Sequence, residues 1–440
     1  MDNKAPFQSH YIPNTTEEQH FMLSKLNAPD IDSLFSDIPE KHRNPTLDLP
    51  NPLSEMQIMQ ELSSLASQNR TLSSGPSFLG AGSYHHFIPA AIKPLITRGE
   101  FLTAYTPYQP EVSQGTLQVI YEFQTLISNL YGMEVANAGM YDGATSLAEG
   151  VLMACRVTKR DHASIASTVS PAYIQVIETY CQAQGITISS FDPDNPNISE
   201  EAACAVVQYP NFYGGIEQLQ TISDQAHNCG ALLVMSADPL ALGMFKSPGE
   251  YGADIATGEG QPLGIPPSFG GPYLGLFTCK KQYIRQMPSR LVGKTTDKEG
   301  KDGYVLTLQT REQHIRRERA TSNICTNEAL YALASTIYLA LLGKTGIQKI
   351  SNLCYQKAHY AASEISKIPG FEVQNTNEFF KEFVVSCPTQ PEIINKKLIE
   401  KNILGGLDIS HLQQNSMLIC VTEMNTKNDI DALVTSLKDL

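Results

Sequence analysis

Residues 231–275 read ALLVMSADPLALGMFKSPGEYGADIATGEGQPLGIPPSFGGPYLG. The apolar run 231–237 is a candidate buried strand, and it stops at Asp238. A Pro-Gly turn follows, then a second strand at 253–257, a loop rich in glycine and proline, and a third strand at 273–278. Upstream, apolar runs at 163–169, 186–191 and 203–209 continue the pattern. Helical periodicities at 145–156, 171–184 and 216–228 separate them. Strand, helix and strand in this rhythm predict a mostly parallel sheet covered by helices on both faces. A helix over 116–131 precedes the sheet, with Leu117, Ile120, Phe123, Ile127 and Leu130 at helical spacing and a stop at Gly132.

Beyond the sheet, residues 329–342 form the most apolar stretch. It is shorter than the roughly 20 residues a bilayer span needs, and Ser335 and Thr336 interrupt it, so a buried helix is expected. Strands at 371–373, 382–387 and 416–422, with helices at 390–401 and 428–440, make a smaller C-terminal α+β domain. The first 60 residues are polar and proline-rich, with an amphipathic stretch at 17–26; a helix over 54–68 follows. The expected division is an N-terminal arm at 1–70, a large α/β domain at 71–326 and a small domain at 327–440.

The chain has 440 residues and a formal net charge of -13, from 45 acidic and 32 basic side chains. An acidic balance argues against a nucleic-acid surface. Nine cysteines, an odd number, occur without a CxxC pair, which argues against a disulfide framework or a structural zinc and favours a reduced, cytoplasmic setting. The N-terminus lacks the apolar core of a secretory signal.

Three motifs have bland explanations. Gly258, Gly260 and Gly264 are spaced GxGxxxG, neither the dinucleotide fingerprint nor a phosphate loop, and Pro262 would break a helix starting there. His85 and His86 are adjacent and so point apart on an extended chain, which disfavours a shared metal; each is read as a satisfied loop histidine. The run 311–319 holds four arginines offset by Glu312 and Glu318, the composition of a solvated, salt-bridged face. After it, Ser322, Asn323, Thr326 and Asn327 are candidates to cap the buried helix, or to hold an anion at its start.

The 231–275 frame matches the cofactor site of pyridoxal-phosphate enzymes of the aspartate-aminotransferase fold. There a strand-end Asp pairs with the pyridine nitrogen, and a lysine some two dozen residues later forms the Schiff base. Here no lysine lies between Lys246 and Lys280.

The segments YIPNT, AGSYHHFIP, TAYTPYQPEVSQGTLQ, MYDGAT, SADPLALG, GEGQPLGIPPSFGGPYLG, MPSRLVGKTTD and LTLQTREQHIRRERATSNICTN carry a specific resemblance. From about residue 10 to the end, the chain resembles the N-terminal-type half of glycine decarboxylase, the P-protein of the glycine cleavage system. In many bacteria that enzyme is split into two homologous chains, and the likeness is to subunit 1.

The resemblance implies a pyridoxal-phosphate-dependent transferase fold and a place in glycine decarboxylation. The aminomethyl group passes to the lipoyl arm of H-protein, alongside the T- and L-proteins. It places Gln261 at the Schiff-base lysine position, so pyridoxal phosphate is expected on the partner, subunit 2, covalently held there. Asp238, Gln261, Gly270 and Gly271 would be the relict cofactor frame. Tyr84, His86, Tyr105 and Tyr108 would face the working site between the two halves, and an α2β2 assembly is implied. No nucleic-acid or membrane partner is expected. Two other readings stay open at this level: a self-sufficient pyridoxal-phosphate lyase or transaminase using Lys246 or Lys294, and a non-enzymatic paralogue serving assembly or regulation.

Overall fold

Residues 14–43, 45–324, 327–374 and 378–439 are described by the computed structural model. Tyr11–Pro13 of the YIPNT motif and Cys325 and Thr326 of the capping segment lie outside them. The chain divides into two compact units between Arg70 and Thr71.

The first unit contains two helices of note, α1 (Thr16–Lys25) and α2 (Glu55–Ser67). Both start with reciprocal caps, Thr15 with Glu18 and Ser54 with Gln57, which satisfy N–H groups that a helix start leaves free. Among the described residues neither helix buries a side chain. On α2, Ile58, Leu62 and Leu65 follow helical spacing and are all exposed.

In the second unit two short helices, α3 (Ile92–Ile96) and α4 (Gly99–Leu102), precede α5 (Gln114–Tyr131). Helix α5 buries Leu117, Ile120, Phe123, Ile127 and Tyr131 and ends at Gly132, whose left-handed φ of 64° suits glycine. A seven-stranded sheet follows: β1 (Val135–Ala136), β2 (His162–Ala166), β3 (Thr187–Phe191), β4 (Cys204–Tyr209), β5 (Leu232–Ala237), β6 (Ile255–Glu259) and β7 (Gly275–Cys279). The order is β1-β7-β6-β5-β4-β2-β3. Strands β2 to β6 run parallel, and β7 and β1 close one edge antiparallel. The crossovers are α6 (Gly143–Thr158), α7 (Pro171–Gln182) and α8 (Leu219–Asn228). All six predicted strands of this sheet are present. Strand β1 was not predicted; two residues with no pattern of their own pair only because β7 offers an edge.

The hairpin of β8 (Leu291–Thr296) and β9 (Asp302–Thr307) was also not predicted; its outer half is exposed and carries little apolar signal. After the short α9 (Gln313–Arg316) comes α10 (Ala329–Ile365), kinked at Gly343 with φ 58°. Helix α10 is long and apolar enough to cross a membrane by composition, but it packs on α5 and buries Ala332, Leu333 and Tyr338 in the core. It runs well past the expected end at 342. Its second half enters another core, with Ala358 and Ile365 against Phe383, Val385, Ile430 and Leu433.

That second core lies on a four-stranded antiparallel sheet, β10 (Glu372–Val373), β11 (Glu382–Ser386), β13 (Ser416–Cys420) and β12 (Leu407–Asp408), in the order β10-β11-β13-β12. Helices α11 (Pro391–Glu400) and α12 (Lys427–Lys438) belong to the same part of the chain. Phe78 packs into this core as well. Its N–H donates to the Leu404 carbonyl, and its carbonyl accepts from the Cys420 N–H. The loop at 72–89 is therefore pinned to the C-terminal sheet. Residues 379–383 run along the seam between the cores, with Phe380 in the first and Phe379 and Phe383 in the second.

Candidate functional site

Strand order reverses between β2 and β4, and the crevice outside the carboxyl ends of the strands is where open α/β sheets bind ligands. Two carboxylates stand there. Asp238 directly follows β5, and its Oδ1 accepts from the Leu240 N–H at 2.9 Å. Glu259 ends β6. Its Oε2 accepts from the Gly143 N–H at the start of α6 at 2.9 Å, and its Oε1 accepts from the Gln261 and Leu274 N–H groups at 2.9 and 3.2 Å. Glycine is required just before it: a Cβ on Gly258 would sit 2.4 Å from the Ala237 carbonyl oxygen.

Lys381, 2% exposed, reaches this crevice from the C-terminal sheet. Its ammonium donates to Asp238 Oδ2 at 2.6 Å, lies 3.1 Å from His86 Nε2 and sits 3.4 Å from the centre of the Tyr84 ring. His86 Nδ1 in turn is 2.7 Å from Glu423 Oε2. Since Lys381 can only donate, His86 accepts at Nε2 and donates from Nδ1. A chain of charge and hydrogen bonds thus runs from Asp238 through Lys381 and His86 to Glu423. Burial and the neighbouring Lys381 lower the His86 pKa, which keeps the ring neutral in this role. Burial works against the Lys381 ammonium, but Asp238 and its other neighbours outweigh it and raise the pKa.

Gln261 is 1% exposed, and its amide acts as a splint. Oε1 accepts from the Tyr84 N–H at 2.8 Å, while Nε2 donates to the Tyr84 carbonyl at 2.9 Å and to Ile265 at 2.7 Å. The Tyr84 hydroxyl donates to Glu382 Oε2 at 2.7 Å, and the Ala81 N–H donates to Glu382 Oε1. Burial pushes the Tyr84 pKa well up and also raises that of Glu382.

The structure brings Tyr84, His86, Asp238 and Gln261 together and leaves the other expected residues apart. Tyr105 is 79% exposed and Tyr108 is half-exposed, packed against Arg290 and His314; neither lines the crevice. Gly270 and Gly271 sit in an outward loop with φ of 92° and 137°, next to a fully exposed Phe269. Lys246 is exposed near Tyr251, and Lys294 pairs with Asp302 on the hairpin, so the two lysines considered for a self-sufficient enzyme are both elsewhere. The expected caps of α10 are also corrected. Glu328 takes the N-cap position without a side-chain bond among the described residues, Ser322 donates to Glu149, and Asn327 donates to the Ala138 carbonyl. Ser322 ties its loop to α6 instead, and Asn327 ties the start of α10 to the segment after β1.

Lys381, Glu259, Glu382 and Glu423 were not foreseen. A signal existed for one pair: Lys381-Glu382 interrupts the apolar run FFKEFVV, and charged residues are rarely buried unless paired. His86, Cys354 and Glu423 also cluster within 4.8 Å, but the Lys381 ammonium beside His86 opposes a second cation.

The residues present do not fit pyridoxal phosphate. The crevice holds a cavity of about 50 Å³, lined by Tyr84, Tyr173, Asp238, Glu259 and Lys381 among others. Small-molecule sites measure about 300 Å³ or more. Gln261 offers an amide, which cannot form an imine, and Asp238 already has a cation.

Glu423 makes acid stability measurable. Burial opposes its ionisation, yet the His86 ring and the Phe87 N–H hold it at about 2, against an ordinary 4.5. Its folded pKa is depressed, so its contribution is full above pH 4.5 and disappears as pH falls through about 2. Glu259 has the opposite sign: burial raises it to about 8, so its ionisation weakens the fold as pH climbs from 4.5 to about 8. Urea midpoints across pH should therefore show an acid limb worth on the order of 3 kcal/mol that Glu423→Gln flattens. The decline between pH 4.5 and about 8 should be removed by Glu259→Gln. An unchanged acid limb in Glu423→Gln would contradict the assignment.

Residues 9–437 match the family described as Glycine cleavage system P-protein. The chain is 50% identical to the probable glycine dehydrogenase (decarboxylating) subunit 1 of Thermomicrobium roseum, covering 98% of this chain and 99% of that one. It is 50% identical to the protein of the same name from Desulforamulus reducens, covering 97% and 99%. A crystal structure of glycine decarboxylase (P-protein) of the glycine cleavage system, in inhibitor-bound form, superposes with a TM-score of 0.92 at 43% identity, over 98% of this chain and 100% of that chain. The glutamate decarboxylase of Lactobacillus brevis shares the fold, with a TM-score of 0.66 at 14% identity over 91% and 96%.

Proposed function

This chain belongs to the glycine cleavage system P-protein family, and from that premise we propose that it is subunit 1 of a two-chain glycine dehydrogenase (decarboxylating). One observation carries the division of labour: the strand-end crevice is filled, and Gln261 is spent outside its lining as a splint on Tyr84, with no amine to offer. The pyridoxal phosphate is then held covalently by subunit 2, which performs the chemistry on glycine. The aminomethyl group is delivered to the lipoyl arm of H-protein, and the T- and L-proteins complete the system in the cytoplasm. Neither nucleic acid nor membrane enters this reading.

The role of this chain is to complete the working site from outside. Tyr84 and His86 are buried and hold the loop at 81–87 in one conformation through Glu382 and Glu423. Tyr105, Tyr108 and the 80%-exposed Val112 lie on the following segment, and their exposure supports assigning them to the contact surface in this reading. The exposed Ile58, Leu62 and Leu65 stripe of α2 is a second apolar surface that a partner would cover.

The test is co-expression with subunit 2 and exchange of the glycine carboxyl carbon with bicarbonate, in the presence of H-protein. The two chains together are expected to be active. This chain alone is expected to show no exchange, and no absorption band of an internal aldimine that borohydride abolishes. Exchange by this chain alone, or a borohydride-fixed label on one of its lysines, would overturn the proposal.

A further inference from the structure

We infer that the strand-end crevice is a cofactor pocket closed from within, with Lys381 and Glu259 standing where a bound ligand's two charged ends would go. Pyridoxal phosphate carries a ring nitrogen that a carboxylate pairs with when it is protonated, and a phosphate that suits N–H groups at a helix start. Both kinds of partner are present here, one just after β5 and one at the start of α6. Asp238 is the carboxylate, and its Oδ2 is 2.6 Å from the Lys381 ammonium. The Gly143 N–H opens α6, a helix of 16 residues, and donates to Glu259 Oε2 at 2.9 Å.

The two occupants come from different parts of the fold. Lys381 enters from the start of the C-terminal sheet, and the Tyr84 ring lies against its ammonium at 3.4 Å. Glu259 belongs to the large sheet and spends both its oxygens on backbone N–H groups of three segments. Lys381 gives Asp238 the cation, and Glu259 gives the N–H groups the acceptor oxygens, that a ligand would have brought, with room left for no more than a few waters. This inference concerns the chain's own pocket and stands whether or not a partner chain carries the catalysis.

The test uses pyridoxine 5′-phosphate, which has the ring nitrogen and the phosphate but no aldehyde. Binding therefore does not depend on a lysine. Titrated into the full chain at up to about 1 mM, it should leave the unfolding temperature of the wild type unchanged. The double variant Lys381→Ala/Glu259→Ala should bind it at least tenfold more tightly, read as a saturable rise in unfolding temperature. A saturable rise in the wild type would overturn the inference. So would a folded double variant, verified by far-ultraviolet ellipticity, that gains no binding. Should the double variant not fold, Glu259→Ala alone decides, because it keeps the Asp238–Lys381 pair: it should acquire at least tenfold tighter binding of inorganic phosphate than the wild type, and an equal affinity would refute the role of Glu259.

Discussion

Replacing Lys381 with alanine is expected to lower the stability of the protein by about 3–5 kcal/mol. The side chain is 2% exposed, and its ammonium is the cation that accompanies the Asp238 carboxylate at 2.6 Å. Removing it leaves a largely buried carboxylate without a counter-ion, and it removes the hydrogen bond that His86 Nε2 accepts. It also takes away a ring contact with Tyr84, which holds the loop before α3. The loss should come from the orphaned charge more than from the missing contacts. The pair variant Asp238→Leu/Lys381→Met should therefore recover most of it, since a buried ion pair exchanged for apolar groups of similar size is often neutral. Urea unfolding followed by far-ultraviolet ellipticity reads both variants; the chain has no tryptophan to report by fluorescence. A loss below about 1 kcal/mol for Lys381→Ala would place the pair in the class of exposed ion pairs and contradict its burial.

Gln261→Lys is expected to destroy more than it creates. Glycine–bicarbonate exchange by the mutant chain alone, with H-protein present, should stay more than a thousandfold below that of the two-chain enzyme. A Schiff-base amine works only with its supporting groups in register, and errors near 1 Å cost about a hundredfold. Here the carboxylate is taken by Lys381, the head of α6 by Glu259, and the cavity measures about 50 Å³. The substitution also breaks the splint. Lysine can donate to the carbonyls of Tyr84 and Ile265 but cannot accept from the Tyr84 N–H, which loses its partner. A buried donor left unpaired costs about 1–3 kcal/mol, and an ammonium in a site of 1% exposure adds to that. A mutant of wild-type stability, or exchange within tenfold of the two-chain enzyme, would show that the pocket is open and that its closure has been misread.

The strands of the large sheet were legible because a parallel strand is covered on both faces. Strand β5 is buried at all six positions, so it appears in the sequence as an apolar run broken only by the small Ser236. Helix α5 was legible through its one-sided stripe, and Gly132 marked its end. The hairpin β8–β9 was not, because Lys294, Thr295 and Thr296 point to solvent and give no alternation. The candidate site was half legible. Asp238 and Gln261 stood in the 231–275 frame, and Tyr84 and His86 in an unusual loop. Their partners Lys381, Glu382 and Glu423 lie far along the chain, in strands and turns with no motif of their own.

By itself the sequence determined the layers of the large domain, the position of Asp238 at a strand end and the lack of an amine at Gln261. Those properties are local: burial on two faces requires apolar residues in a row, and an amide is not a nucleophile wherever it lies. Only the tertiary structure decided that the crevice is filled. Helix α10 carries the chain from the first core to the second, and the return through Phe380 sets Lys381 against Asp238. Whether a lysine is a solvated surface charge or a buried counter-ion depends on the dielectric around it and on the nearest opposite charge. Both are set by segments distant in sequence, and they exist only once the two sheets have packed.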